Sequence, residues 1–216
     1  MSFRSTDLNQ LGYVSLANYS PTGTNDISSK SRKVCGAIKA SKPASIESIF
    51  KYLNNEAFRD YLNDETILVP VPSSSLRVPG GNWPSLSICQ ALIKNGFGHF
   101  SHELLKRTRA IPKSSSRSSS AERNSVQDHI DSLAVNPSTD NFTNVTLVDD
   151  VVTQGRTSMA CAIVLNRYFS SINKAIDIKL FSVFQTKSFE DAELSELVNI
   201  HQGIIHYYSS GKTYRK

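Results

Sequence analysis

One run of thirteen residues constrains this 216-residue chain more than any other: Val145-Thr146-Leu147-Val148-Asp149-Asp150-Val151-Val152-Thr153-Gln154-Gly155-Arg156-Thr157. Its apolar and β-branched start reads as a strand over Asn144–Asp150 that is buried on both faces. Two adjacent carboxylates sit at the C-terminal end of that strand. A short Thr/Gly loop then opens a helix over Thr157–Phe169, with Ala160, Ile163, Val164 and Tyr168 clustering on one side. In doubly wound sheets that edge is where ligands bind.

The loop has the chemistry of an anion cradle. Backbone amides at a helix N-terminus attract negative charge. Gly155 lets the backbone come close, Thr153 and Thr157 offer hydroxyls, and Arg156 adds charge, so the loop suits a phosphate dianion. Asp149 and Asp150 would repel that dianion, and suit a neutral diol about one sugar ring away. A ribose 5-phosphate unit meets both demands.

The flanking pattern alternates strands with helices, which implies a mostly parallel sheet covered on both faces. Residues before about 25 read as irregular. A helix is expected over Ser28–Ala40 and a longer one over Ala44–Leu62, where Ile46, Ile49, Phe50, Leu53, Phe58 and Leu62 form a stripe. Thr66–Pro72 reads as a buried strand, Pro84–Lys94 as a helix, and His102–Arg107 and Ile130–Val135 as short strands. Ile178–Phe184 is expected as a strand, Ala192–Val198 as a helix and Ile204–Tyr208 as a final strand. Between Lys106 and Arg123 lies a Ser/Arg tract that cannot bury a core, which suggests a mobile flap. These segments divide the chain into 1–65 (a helical or hood segment), 66–188 (the core, with a flap over 106–125) and 189–216 (a C-terminal extension).

Cys35, Cys89 and Cys161 are far apart and without a CxxC pair, against both a disulfide framework and a structural zinc site. No apolar run reaches the roughly 20 residues of a membrane span, and Met1–Asp7 lacks a secretory pattern. The expectation is a cytoplasmic protein with no membrane partner. A net charge of +5 suits anionic partners.

The Val145–Thr157 segment resembles the phosphoribosyl-pyrophosphate (PRPP) loop of type I phosphoribosyltransferases. Gln154 stands where that family has a small residue. The ComF-type branch is the nearer resemblance. Leu68-Val69-Pro70-Val71-Pro72 looks like its Val-Pro-Val-Pro strand, Asn82 like an Asn of its Arg-Gly-Phe-Asn motif, and Arg107-Thr108-Arg109 with Glu122-Arg123-Asn124 like its flap elements. The cysteine-rich N-terminal element of that branch is missing.

The resemblance implies a type I phosphoribosyltransferase-like α/β fold with a mobile flap and a hood from the chain ends. It implies that Asp149 and Asp150 hold the ribose hydroxyls and support positive charge developing on the ring. Thr153, Gln154, Gly155, Arg156 and Thr157 would hold the 5-phosphate. Ser73, Ser74, Ser75 and Arg77 would face the pyrophosphate, and Arg107 and Arg109 would add catalytic charge. Lys113, Arg117, Arg123 and Asn124 would belong to the flap. Mg2+ is the implied cofactor, carried mainly by substrate phosphates, with no protein ligand assigned to it. The expected partner is PRPP or a ribonucleotide, with an unidentified acceptor and pyrophosphate as product. Other readings stay open: a PRPP or nucleotide sensor without turnover, an accessory role on single-stranded DNA, and a homodimer or a protein partner.

Overall fold

The computed structural model describes residues 8–112, 123–187 and 192–216. Its centre is a six-stranded sheet of β1 (Gln10–Tyr19), β2 (Thr66–Pro70), β5 (Asn144–Val152), β6 (Asp177–Thr186), β7 (Val198–Tyr207) and β8 (Thr213–Arg215). The spatial order is β2-β5-β6-β1-β7-β8. The first four in that order run parallel, with Val69 beside Leu147, Leu147 beside Leu180 and Tyr13 beside Leu180. Strands β7 and β8 then add antiparallel. The helices are α1 (Asp26–Lys39), α2 (Pro43–Glu47), α3 (Arg59–Leu62), α4 (Pro84–Lys94), α5 (Val126–Ile130) and α6 (Arg156–Ser171). A separate ribbon pairs β3 (Leu105–Arg107) with β4 (Leu133–Val135).

Side-chain alternation along the strands builds two cores. Leu11, Tyr13, Ile67, Val69, Val145, Leu147, Ile178 and Leu180 face a cluster that takes in α6, Val126 of α5 and the β3–β4 ribbon. Val14, Leu16, Leu68, Val148, Phe181 and Val183 face the other way, onto α1, α2, α3 and α4. Burial on both faces is what makes these strands read as apolar runs rather than alternating ones.

Several expectations hold. The helices over Ser28–Ala40, Pro84–Lys94 and Thr157–Phe169 and the strands at Thr66, Asn144 and Ile178 are in place within a few residues. Others are corrected. The N-terminal stretch is not irregular through residue 25: β1 lies inside the sheet, between β6 and β7. Gly12, Ser15 and Asn18 interrupt its apolar pattern, yet Ser15 and Asn18 are themselves buried.

The helix expected over Ala44–Leu62 is broken into α2, two single 3-10 turns at Phe50–Tyr52 and Glu56–Phe58, and α3. Asn55 restarts the chain by accepting the Ala57 amide at 2.9 Å, a local side-chain bond that competes with helix continuation. The stripe is nonetheless buried at Ile46, Ile49, Leu53, Phe58 and Leu62.

Ile130 ends a helix, not a strand. Ser125 and Asp128 form a reciprocal capping box that starts α5, and only Leu133–Val135 is extended. No helix occupies 192–197; β7 begins at Val198 and exceeds the strand expected at Ile204–Tyr208. The sheet draws β1 from residues 1–65, β2, β5 and β6 from 66–188, and β7 and β8 from 189–216. No described helix is long and apolar enough to cross a membrane.

Candidate functional site

The C-terminal ends of β2, β5, β6 and β1 open onto one cavity of about 740 Å³. Its walls include Asp149–Ser158, the Ser73–Ser74 turn after β2, Thr186 at the end of β6, and Tyr19 at the end of β1. Parallel strands bring these ends together because they all stop on the same edge.

The two carboxylates differ in their surroundings. Asp149 Oδ1 accepts the Asp150 amide at 2.9 Å. Burial, and then the charge of Asp150, hold the Asp149 carboxyl well above the usual range. Asp150 Oδ1 accepts the Val151 amide at 2.9 Å. Its Oδ2 pairs with Lys39 Nζ at 2.5 Å. Burial pulls the Lys39 pKa down, but the charge and hydrogen bond of Asp150 carry it above its ordinary value. The pair therefore sets a carboxyl whose protonated form is favoured beside one that is paired with an ammonium. Carboxyl oxygens that accept, a protonated form that donates and the Lys39 ammonium together suit a diol.

The phosphate-type loop turns at Gly155, whose φ of 73° is left-handed. A Cβ there would lie 2.5 Å from Ile205 Cδ1, so both backbone conformation and space call for glycine. No described side chain caps α6, whose first-turn residues line the cavity. Thr153 Oγ1 is 2.9 Å from Thr186 Oγ1, which ties the loop to β6. Gln154 and Thr157 line the cavity too. Arg156 donates from Nη1 to the carbonyls of Arg123 and Asn124, at 3.1 and 3.2 Å. Those bonds tie the start of α6 to the chain just before α5.

Of the residues expected at the pyrophosphate, Ser73 and Ser74 reach the cavity wall, while Ser75 and Arg77 lie outside it. The Arg77 guanidinium pairs with Glu103 and sits 5.2 Å from the Trp83 ring. Arg107 lines the cavity floor at 8% exposure. Its nitrogens are committed to the Ser73 carbonyl, the His129 carbonyl, Ser132 Oγ and His129 Nδ1. It is an anchor on β3 rather than a side chain free to swing with a flap. Arg109 is exposed and away from the wall.

Arg123 and Asn124 line the cavity, and Asn124 Nδ2 donates to the Pro112 carbonyl at 2.6 Å. That bond joins positions 112 and 124 of the expected 106–125 flap. Lys113, Arg117 and the rest of 113–122 lie outside the described residues. Asn82 does not face the cavity; it holds the end of α1, donating to the Lys39 carbonyl at 2.7 Å.

Sequence reasoning missed Lys39, His129, Tyr19, Trp83 and Thr186 as cavity residues. Lys39 carried no signal beyond being a basic residue in the last turn of a helix. Trp83 anchors its indole N–H on the Val71 carbonyl at 2.8 Å. Among the described residues no three His, Cys, Asp or Glu side chains converge as a metal site. All three cysteines are free and buried.

No protein-family model matches the chain, and no curated protein matches it in sequence.

Proposed function

We propose that this protein binds the ribose 5-phosphate part of PRPP, or of a related ribonucleotide, on a type I phosphoribosyltransferase-like scaffold. The observation that carries the reading is that Asp149, Asp150 and the Thr153–Thr157 turn share one cavity wall at a parallel-strand edge. The acid pair would hold the 2- and 3-hydroxyls. The α6 N-terminus, with the Thr153 and Thr157 hydroxyls, would hold the phosphate. Ser73 and Ser74 line the same cavity, where a pyrophosphate on C1 would lie.

Transfer would break the C1–pyrophosphate bond through an oxocarbenium-like state, with pyrophosphate leaving as the acceptor's nucleophile bonds C1 and gives up its proton to solvent. Asp150 would sit beside the developing charge, tempered by Lys39. The donor set fits Mg2+ as an ion carried by the substrate: the surroundings of Asp149 disfavour its charged form, Asp150 is paired with Lys39, and the serines offer only hydroxyls. When bound, such an ion would neutralise the leaving pyrophosphate.

A second reading, binding without transfer, is favoured by the commitment of Arg77 and Arg107 to protein partners. Those are two of the cations the resemblance assigns to pyrophosphate. Calorimetric titration with PRPP and Mg2+, followed by a pyrophosphate-release assay over a panel of bases, separates the two. Saturable PRPP binding that Asp149→Asn/Asp150→Asn abolishes without unfolding supports the shared reading, and turnover then selects transfer. PRPP binding equal in wild type and that double variant refutes the assigned diol roles.

A further inference from the structure

A chain of hydrogen bonds runs beneath the cavity from the turn after β2 to the start of α6. It begins at the Ser73 carbonyl, which accepts from Arg107 Nε at 2.9 Å. Arg107 Nη2 meets His129 Nδ1 at 3.0 Å, and His129 Nε2 lies 3.4 Å from Thr157 Oγ1. A guanidinium only donates, so His129 Nδ1 has to accept and carries no proton.

The ring is 3% exposed. Burial first, then the charges of Arg107 from β3 and Arg156 from α6, push its pKa down to about 4, while Asp128 on α5 pulls the other way. The imidazole is neutral, and with Nδ1 bare its proton is on Nε2, facing Thr157 Oγ1. Having accepted that bond, the Thr157 hydroxyl has its own proton left to turn away from the ring. Thr157 and His129 both line the cavity.

We infer that His129 is a positioning residue: its Nε2–H fixes the Thr157 hydroxyl as a donor to a phosphate oxygen in the Thr153–Thr157 turn, and through Arg107 it links that turn to Ser73. The inference rests on the phosphate reading above and adds to it a residue that acts through Thr157. The sequence carried no hint of it, because the four residues are spread from 73 to 157 and meet only in the folded chain.

The test is a double-mutant cycle read by calorimetry with ribose 5-phosphate as the probe. Asn at position 129 can still accept from Arg107 but is too short to reach Thr157. His129→Asn and Thr157→Val should each weaken binding about tenfold, the scale of one hydrogen bond to a charged group. The double variant should lose no more than either single one. His129→Gln, which places an amide N–H near the Nε2 position, should recover most of the loss. A 15N spectrum of wild type should show the Nε2–H tautomer, unchanged from pH 8 to about pH 5. Multiplying losses in the cycle, or an Nδ1–H tautomer, would overturn the role of His129 while leaving the phosphate site standing. Absence of ribose 5-phosphate binding by the wild type would overturn the phosphate reading and the inference with it.

Discussion

Replacing Gly155 by alanine tests whether the site geometry is built on a conformation only glycine adopts readily. Two costs add. An L-residue at φ of 73° costs roughly 1–2 kcal/mol. The new methyl would sit 2.5 Å from Ile205 Cδ1 and 2.9 Å from its Cγ1 and Cγ2. Ile205 is fully buried, so relief requires repacking, at about 1–3 kcal/mol. The expected destabilisation is about 2–5 kcal/mol, or roughly 4–20 °C in Tm for a chain of this size.

Urea denaturation at pH 7.5 measures it. Ile205→Val removes the Cδ1 that makes the closest contact. In the wild-type background that truncation should cost about 1 kcal/mol. In the Gly155→Ala background it should cost nothing or stabilise, since part of the clash goes while the backbone strain stays. Stability of Gly155→Ala within about 0.5 kcal/mol of wild type, or an Ile205→Val cost that is the same in both backgrounds, would refute the account.

Three further outcomes follow from the charges. Asp149 has a pKa raised by folding, so its contribution favours the folded state at low pH and is lost as pH rises through the raised value. Asp149→Asn should therefore increase stability at pH 8 more than at pH 4 while weakening ribose 5-phosphate binding; denaturation at both pH values, with calorimetry, checks both halves. His129 titrates the opposite way: its folded pKa is about 4 against an ordinary 6.5, so the stabilisation is present above pH 6.5 and falls as pH drops towards 4. The full loss is about 3 kcal/mol, and His129→Gln should flatten the stability curve across that window. Lys39→Met removes an ammonium that holds the Asp149 pKa down, and carboxyl 13C titration should then show Asp149 taking up its proton at higher pH than in wild type.

What could be read along the chain was local. Strand, acid pair, glycine turn and helix occupy thirteen consecutive residues, each part shaping the next through short-range sterics and hydrogen bonding, so Val145–Thr157 announced its own conformation. The same holds for α4, bounded by Pro84 and Asn95-Gly96. β1 escaped because polar Ser15 and Asn18 are buried inside the sheet, and only neighbouring strands make that environment. Arg77 and Arg107 had the right charge in the right segments, yet Glu103 and His129 claim them.

Tertiary structure alone decided the electrostatic state of the site. Lys39 reaches Asp150 on β5 from the end of α1, and Arg107 aims His129 at Thr157 from a separate ribbon. A linear chain encodes which groups exist and how each turn bends. It does not display which charges lose their water together, and that shared desolvation decides who holds a proton and who is already paired.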